Sequence, residues 1–256
     1  GTETIYRFKG EDRRIRPDVK KIIKTGADVL FPRRCPVCEG IVPTFGGLIC
    51  PSCFYKLSFV KSPTCKKCGK EVLSDTIEYC SDCARRSRSF QYGMALLNYN
   101  EAAARSMARI KYHNKREYLD FYSQAAAARY GKRIKKMNVD ALVPVPVHPS
   151  KLKARGFNQA QVFAEKLGEQ LGIPALSDVL IRDRKTEPQK NLSPRERFAN
   201  LQHAFHAREL PDGVRHIMLI DDIYTTGSTI EACTRALKKA GAENIYFLTI
   251  CIGYGK

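Results

Sequence analysis

An α/β fold with a mainly parallel sheet, preceded by a small cysteine-rich module, is what the 256-residue sequence predicts. Three observations predict it. Strand-like and helix-like stretches alternate from residue 140 to 252, the pattern of a sheet covered by helices. Ile217-Met218-Leu219-Ile220 is an unbroken apolar run, as expected of a strand buried on both faces. Four Cys-x-x-Cys pairs, Cys35/Cys38, Cys50/Cys53, Cys65/Cys68 and Cys80/Cys83, precede that alternation.

Residues 1–16 are polar and basic and are expected to be poorly ordered. Residues 17–30 place Val19, Ile22, Ile23, Ala27, Val29 and Leu30 at helical spacing behind Pro17, which predicts a short amphipathic helix leading into the cysteine module. In that module each first pair is followed by eleven residues and a second pair, and the unit repeats after thirty. This is an internal duplication with the spacing of a zinc ribbon. Residues 31–90 carry too little apolar surface to fold without a staple, and Zn²⁺ supplies one. Disulfides need an oxidising compartment, and iron–sulfur clusters seldom occur as two equal units of this kind. Four thiolates leave no open coordination position, so two Zn²⁺ ions are expected in structural roles. Sequential pairing of the Cys pairs is simplest, and a crossed pairing stays open on spacing alone. Cys233 and Cys251 read as small core residues.

Beyond the ribbon, Ala84-Arg85-Arg86-Ser87-Arg88 reads as a linker and Tyr92 to Tyr99 as a strand. Helices are predicted over 101–112 and 117–131. Their cations Arg105, Arg109, Lys111, Arg129, Lys132, Arg133, Lys135 and Lys136 interleave with Tyr112, Tyr118, Phe121, Tyr122 and Tyr130. Exposed aromatics among cations would stack the bases of a single strand, whereas at helical spacing they are more often core. Asp140 to Val147 is a strand running into a Pro-rich turn, and Lys151 to Ala160 leads into a helix. Residues 182–200 are polar and mark where a hood over a ligand would lie, and Ser193-Pro194-Arg195-Glu196 has the form of a capping box.

Charge is uneven. The net +18 divides into +8 for residues 1–90, +9 for 91–160 and +1 for 161–256. Eight thiolates and two Zn²⁺ lower the first figure to about +4. A basic first part suggests a polyanionic partner, single-stranded DNA being the one preferred here. No segment approaches the roughly eighteen apolar residues of a membrane helix, and Gly1-Thr2-Glu3-Thr4-Ile5-Tyr6-Arg7 lacks the apolar centre of a secretory signal. A cytoplasmic protein without membrane insertion is the expectation, and the initial Gly hints at a cleaved tag.

The chemistry concentrates after the apolar run, in Asp221-Asp222-Ile223-Tyr224-Thr225-Thr226-Gly227-Ser228-Thr229. Backbone N–H groups and hydroxyls of Thr225, Thr226, Ser228 and Thr229 can surround one phosphate, and Gly227 permits close approach. Asp221 and Asp222 can accept from vicinal sugar hydroxyls. The same residues would also serve as a strand exit with a helix cap.

This stretch resembles the phosphoribosyl pyrophosphate (PRPP) signature of type I phosphoribosyltransferases. The resemblance implies that Asp221 and Asp222 hold the ribose 2′- and 3′-hydroxyls, that Thr225, Thr226, Gly227, Ser228 and Thr229 hold the 5′-phosphate, and that Mg²⁺ bridges ribose oxygens to pyrophosphate. Lys151, Lys153 and Arg155 would neutralise the pyrophosphate. More narrowly, Pro144-Val145-Pro146-Val147-His148-Pro149, Arg155-Gly156-Phe157-Asn158-Gln159, Arg182 to Leu192 and Arg195 to Asn200 resemble the ComF family of bacterial natural competence. That resemblance implies a protein that binds PRPP or a related phosphosugar, handles incoming single-stranded DNA and works beside a competence helicase. The alternative is an active phosphoribosyltransferase moving ribose 5-phosphate onto a nitrogen acceptor, for which no catalytic residue is named. The expected division is a tail and helix over 1–30, a double zinc ribbon over 31–90, and a phosphoribosyltransferase-like domain over 91–256.

Overall fold

The computed structural model describes residues 6–7, 14–15, 32–43, 47–182 and 204–253. The helix expected over 17–30, the hood over 182–200 beyond Arg182, and the capping box at Ser193 lie outside the described residues. Ahead of the ribbons, β1 (Tyr6–Arg7) pairs antiparallel with β2 (Arg14–Ile15). The ribbons contain two short helices, α1 (Pro51–Phe54) and α2 (Ser81–Arg85).

The sheet follows. Its strands are β3 (Tyr92–Asn98), β4 (Ala141–Pro144), β7 (His216–Tyr224) and β8 (Asn244–Ile252), in the order β3-β8-β7-β4 and parallel throughout. Between them run α3 (Glu101–Tyr112), α4 (Leu119–Lys136), α5 (Pro149–Arg155), α6 (Gln159–Leu171) and α7 (Ser228–Lys239). A separate antiparallel pair, β5 (Leu180–Arg182) and β6 (Phe205–Ala207), flanks the undescribed 183–203.

Local chemistry explains the boundaries. Asn100 caps α3 by accepting from the Ala103 N–H at 3.0 Å, and Asn158 caps α6 by accepting from Ala160 at 3.0 Å. A 3₁₀ turn over Arg116–Tyr118 precedes α4, which runs to Lys136 rather than ending near 131. Nothing between 131 and 136 breaks a helix except Gly131, whose small surface lies against Leu171 of α6. Gly93 is required by packing: a Cβ there would lie 2.0 Å from the Phe247 ring.

Both sheet faces are covered, and the ribbons take part in both. On one face Met94, Leu96, Met218, Ile220, Leu248 and Ile250 pack with α3, α4 and α6 and with Cys35, Val37, Ile49, Cys53 and Phe54 of the first ribbon. On the other, Leu219, Ile245 and Phe247 pack with α7, with Val60 between the ribbons, and with Cys65, Cys68 and Cys80 of the second. The segment between the ribbons lies along β3, the edge strand, with Val60 N donating to Leu96 O and Asn98 N donating to Ser58 O. The second ribbon adds Gly93 N to Lys67 O. An edge with unpaired backbone groups is thereby closed. The aromatic question resolves toward core: Tyr118, Phe121 and Tyr122 are buried and Tyr130 is half-buried, while Tyr112 is 71 % exposed. Cys233 and Cys251 are likewise core residues.

Candidate functional site

The acidic pair lies further inside the strand than its sequence suggests. β7 continues through Tyr224, so Asp221 and Asp222 are strand residues near its C-terminal end. Successive strand side chains face opposite ways, and the two carboxylates have different neighbours accordingly. Asp222, 7 % exposed, meets the α3 and α6 layer: Lys111 Nζ forms an ion pair with Oδ2, and Gln159 Nε2 donates to Oδ1 at 3.3 Å. The electrostatic neighbours of Asp221 include Cys233 of α7 and Arg182 of β5, and its Oδ1 accepts from the Asp222 N–H at 2.8 Å. Burial pushes the Asp221 carboxyl well above the usual carboxylate range, and neighbouring Asp222 adds to the rise. Burial acts on Asp222 in the same sense, but the Lys111 ammonium outweighs it and holds that carboxyl below its ordinary value.

After Tyr224 only Thr225, Thr226 and Gly227 form the loop; Ser228 and Thr229 already belong to α7. The first N–H groups of a helix have no partner within it and carry the positive end of its dipole, so Ser228 and Thr229 offer donors where an anion is favoured. Gly227 has φ 75°, and a Cβ there would lie 2.3 Å from Tyr224 Oη. Thr226 Oγ1 and Ser228 Oγ are 3.0 Å apart. Thr225 and Thr226 are exposed.

Of the three cations proposed for pyrophosphate, the structure ties one to the acidic pair. Arg155 Nη1 donates to Gln159 Oε1 at 3.1 Å, and Gln159 in turn reaches Asp222. Lys151 and Lys153 are exposed on α5. His148 serves that helix, its ring accepting from the Ser150 N–H at 3.2 Å. Asn158 Nδ2 donates to Val145 O at 3.0 Å and fixes the loop that follows β4.

Lys111 and Arg88 are functional neighbours that sequence reasoning places elsewhere, in a basic helix and a basic linker. Lys111 had a readable signal, because it follows Ala103, Met107 and Ile110 on the buried stripe of α3, where an unpaired ammonium would be costly. Arg88 is buried and donates through Nη2 to the Thr226 carbonyl at 2.6 Å. The linker therefore ends docked against the loop. Other cations of the basic helices are also engaged: Arg109 pairs with Glu39 at 3.0 Å and Arg105 with Glu101 at 2.6 Å. Arg85, Arg86, Lys132, Arg133, Lys135 and Lys136 are exposed.

The cysteines form two sequential groups, Cys35, Cys38, Cys50, Cys53 and Cys65, Cys68, Cys80, Cys83, with the sulfurs of each within 4.8 Å of one another. This settles the pairing in favour of the sequential arrangement. Cys38 Sγ lies 3.9 Å from Cys50 Sγ, and Cys68 Sγ lies 3.6 Å from Cys80 Sγ. Tetrahedral Zn–S bonds of about 2.3 Å require sulfurs about 3.8 Å apart, so both donor sets fit zinc. They do not fit disulfides, whose sulfurs are about 2.05 Å apart.

Family comparisons agree with this two-part construction. Residues 26–84 match a double zinc ribbon domain and residues 157–254 a phosphoribosyl transferase domain. Competence protein F of Haemophilus influenzae is 29 % identical over 227 residues, covering 84 % of this chain and 95 % of that protein. Competence protein ComFC of Bacillus subtilis is 27 % identical over 199 residues, covering 75 % and 79 %. DNA utilization protein YhgH of Escherichia coli K12 is 27 % identical over 190 residues, covering 73 % and 83 %. With a double zinc ribbon ahead of a phosphoribosyltransferase domain, and with these relatives matched along most of their lengths, the chain matches the ComF family.

Proposed function

We propose that the chain binds PRPP together with Mg²⁺ at the C-terminal end of β7, in a protein of natural competence that handles incoming single-stranded DNA. One observation carries the ligand: two adjacent carboxylates, Asp222 buried and Asp221 half-buried, lead directly, within seven residues, through a glycine-containing loop to the N-terminus of α7. In parallel α/β sheets the ligand crevice lies at such strand ends. Asp221 and Asp222 accept from the ribose hydroxyls, and Thr225, Thr226, Gly227, Ser228 and Thr229 hold the 5′-phosphate. Arg155, with Lys151 and Lys153, takes the pyrophosphate. Mg²⁺ takes hard oxygen ligands, which the ligand and this acidic pair offer, and when bound it neutralises pyrophosphate oxygens.

The competence role draws on the names of the relatives and on the basic first part of the chain. For the DNA surface we favour the C-terminal half of α4. Lys132, Arg133, Lys135 and Lys136 are exposed there, no acidic residue occurs between 121 and 139, and the Arg133 guanidinium lies 4.2 Å from the Tyr92 ring centroid. Single-stranded DNA affinity should fall steeply with salt, and changing Lys132, Lys135 and Lys136 together to Ala should flatten the logarithmic slope by about 2, at about 0.7 for each phosphate no longer neutralised. Fluorescence anisotropy across a salt series reads this; an unchanged slope removes the surface from α4.

The second reading is an active phosphoribosyltransferase, favoured by the acidic pair and loop standing together within the matched domain at 157–254. Pyrophosphate release measured across nucleobases and amines separates the two. The binding reading predicts no acceptor that supports turnover comparable to metabolic enzymes, and such turnover would select the enzyme.

A further inference from the structure

Three consecutive residues leaving the second ribbon grip the phosphate loop and both of its flanks. Arg88 is only 7 % exposed, rare for a cation. Its Nη2 donates to the Thr226 carbonyl at 2.6 Å, and its Nε is buried with no hydrogen-bond partner among the described residues. Ser89 donates to Glu231 twice, from N–H at 2.8 Å and from Oγ at 2.6 Å. Glu231 is 1 % exposed in the first turn of α7, where Arg235 also reaches it at 2.9 Å. Phe90 meets Phe247 edge-on at 5.0 Å, and Phe247 stacks on Tyr224 at 4.8 Å. The Tyr224 hydroxyl is buried without a partner among the described residues and occupies the space that a side chain at position 227 would need.

The contact with Thr226 has a directional consequence. In a trans peptide the C=O and the following N–H point opposite ways. Holding the Thr226 carbonyl toward Arg88 therefore turns the Gly227 N–H away from the ribbon. A guanidinium kept from water with an unmet donor is costly, and its charge lies directly behind the loop where an anion would sit. Upstream, Cys80 and Cys83 of the second cluster lie just before this segment, and Cys65, Cys68 and Cys80 share one packed cluster with Tyr224 and Ile230.

We propose that Arg88 is a positioning residue of the phosphate loop, and that through the Arg88–Phe90 segment the zinc of the second ribbon and a phosphosugar bound at the loop stabilise each other. The proposal rests on reading the loop as a phosphate site. Coupling between two ligands is reciprocal, so either one can report it.

The test uses the full zinc-loaded chain with PRPP and Mg²⁺. Calorimetry should show Arg88→Met binding PRPP at least tenfold more weakly than the unchanged protein, and Arg88→Lys lying between them, with zinc content still two per chain in both. Chelator-driven zinc release, followed with a colorimetric indicator, should occur in two phases. Saturating PRPP should slow one of them severalfold in the unchanged protein, and not in Arg88→Met. Ser89→Ala, which leaves the guanidinium in place, should weaken that protection without a tenfold loss of affinity. If Arg88→Met does not fold, Arg88→Lys and Ser89→Ala carry the same measurements. PRPP that binds the unchanged protein but leaves both release phases untouched, or binds the Arg88 variants equally well, overturns the inference while leaving the ligand reading intact. An unchanged protein that binds no PRPP overturns the ligand reading, and this inference with it.

Discussion

Cys35→Ser or Cys65→Ser is expected to remove one zinc per chain and to unfold far more than a ribbon. Structural zinc contributes about 10–16 kcal/mol of apparent binding free energy in small zinc modules, comparable to or larger than the roughly 5–15 kcal/mol of net stability of a whole domain. Here the ribbons are built into the sheet's own packing. Cys35 and Cys53 share a cluster with Met94, Leu119 and Tyr122, and Cys65 and Cys68 share one with Leu219 and Phe247. The 58–60 segment between them also satisfies backbone groups of β3. Removing either metal should therefore lower a single unfolding transition by well over 10 °C, seen by calorimetry beside a zinc assay. A variant that loses its zinc yet keeps the main transition would show that the ribbons hang from the sheet and do not support it.

That prediction depends on relations the sequence could show only in part. The duplicated Cys-x-x-Cys spacing made two Cys₄ sites readable, because a metal site needs its ligands at fixed local offsets. Their packing against both sheet faces was not readable, since it depends on residues such as Phe54 and Phe90 that look like any module's small core. The apolar run at 217–220 announced a buried strand, but not that pairing with β8 continues through Tyr224. Polar residues at 221 and 222 resemble a strand exit, and only the partner strand decides where a ladder stops. α3 was legible to the residue because Asn100 and an unbroken amphipathic pattern bound it. The Lys111–Asp222 and Arg88–Thr226 contacts join distant parts of the chain, and both cations look like members of a surface patch when read in sequence. In each case a cation on a buried stripe or beside a docked segment was the signal, and overall charge counts obscured it.

The second large effect concerns the acidic pair. Asp221→Asn combined with Asp222→Asn keeps the shape of both side chains and removes the two carboxyl groups. Lys111 holds that of Asp222 ionised, and that of Asp221 would ionise against bound Mg²⁺. At about 1.5–3 kcal/mol for each hydrogen bond to a charged group, the pair corresponds to a loss of roughly 100-fold or more in PRPP affinity. Asp222→Asn also strips Lys111 of its counter-charge in a half-buried position, which costs stability on its own account. Asp221→Asn alone leaves the Lys111 pair in place, so its effect on affinity isolates ligand binding from folding. Its zinc content should stay at two per chain.

The most direct measurement is an isothermal titration of PRPP with Mg²⁺ into the full zinc-loaded chain, repeated with Asp221→Asn and with the double variant. One PRPP should bind per chain, more weakly in the single variant and without detectable heat in the double variant, with two zinc ions retained throughout. Equal affinity in all three proteins, or no binding by the unchanged chain, would contradict the assignment of this strand end as a phosphosugar site.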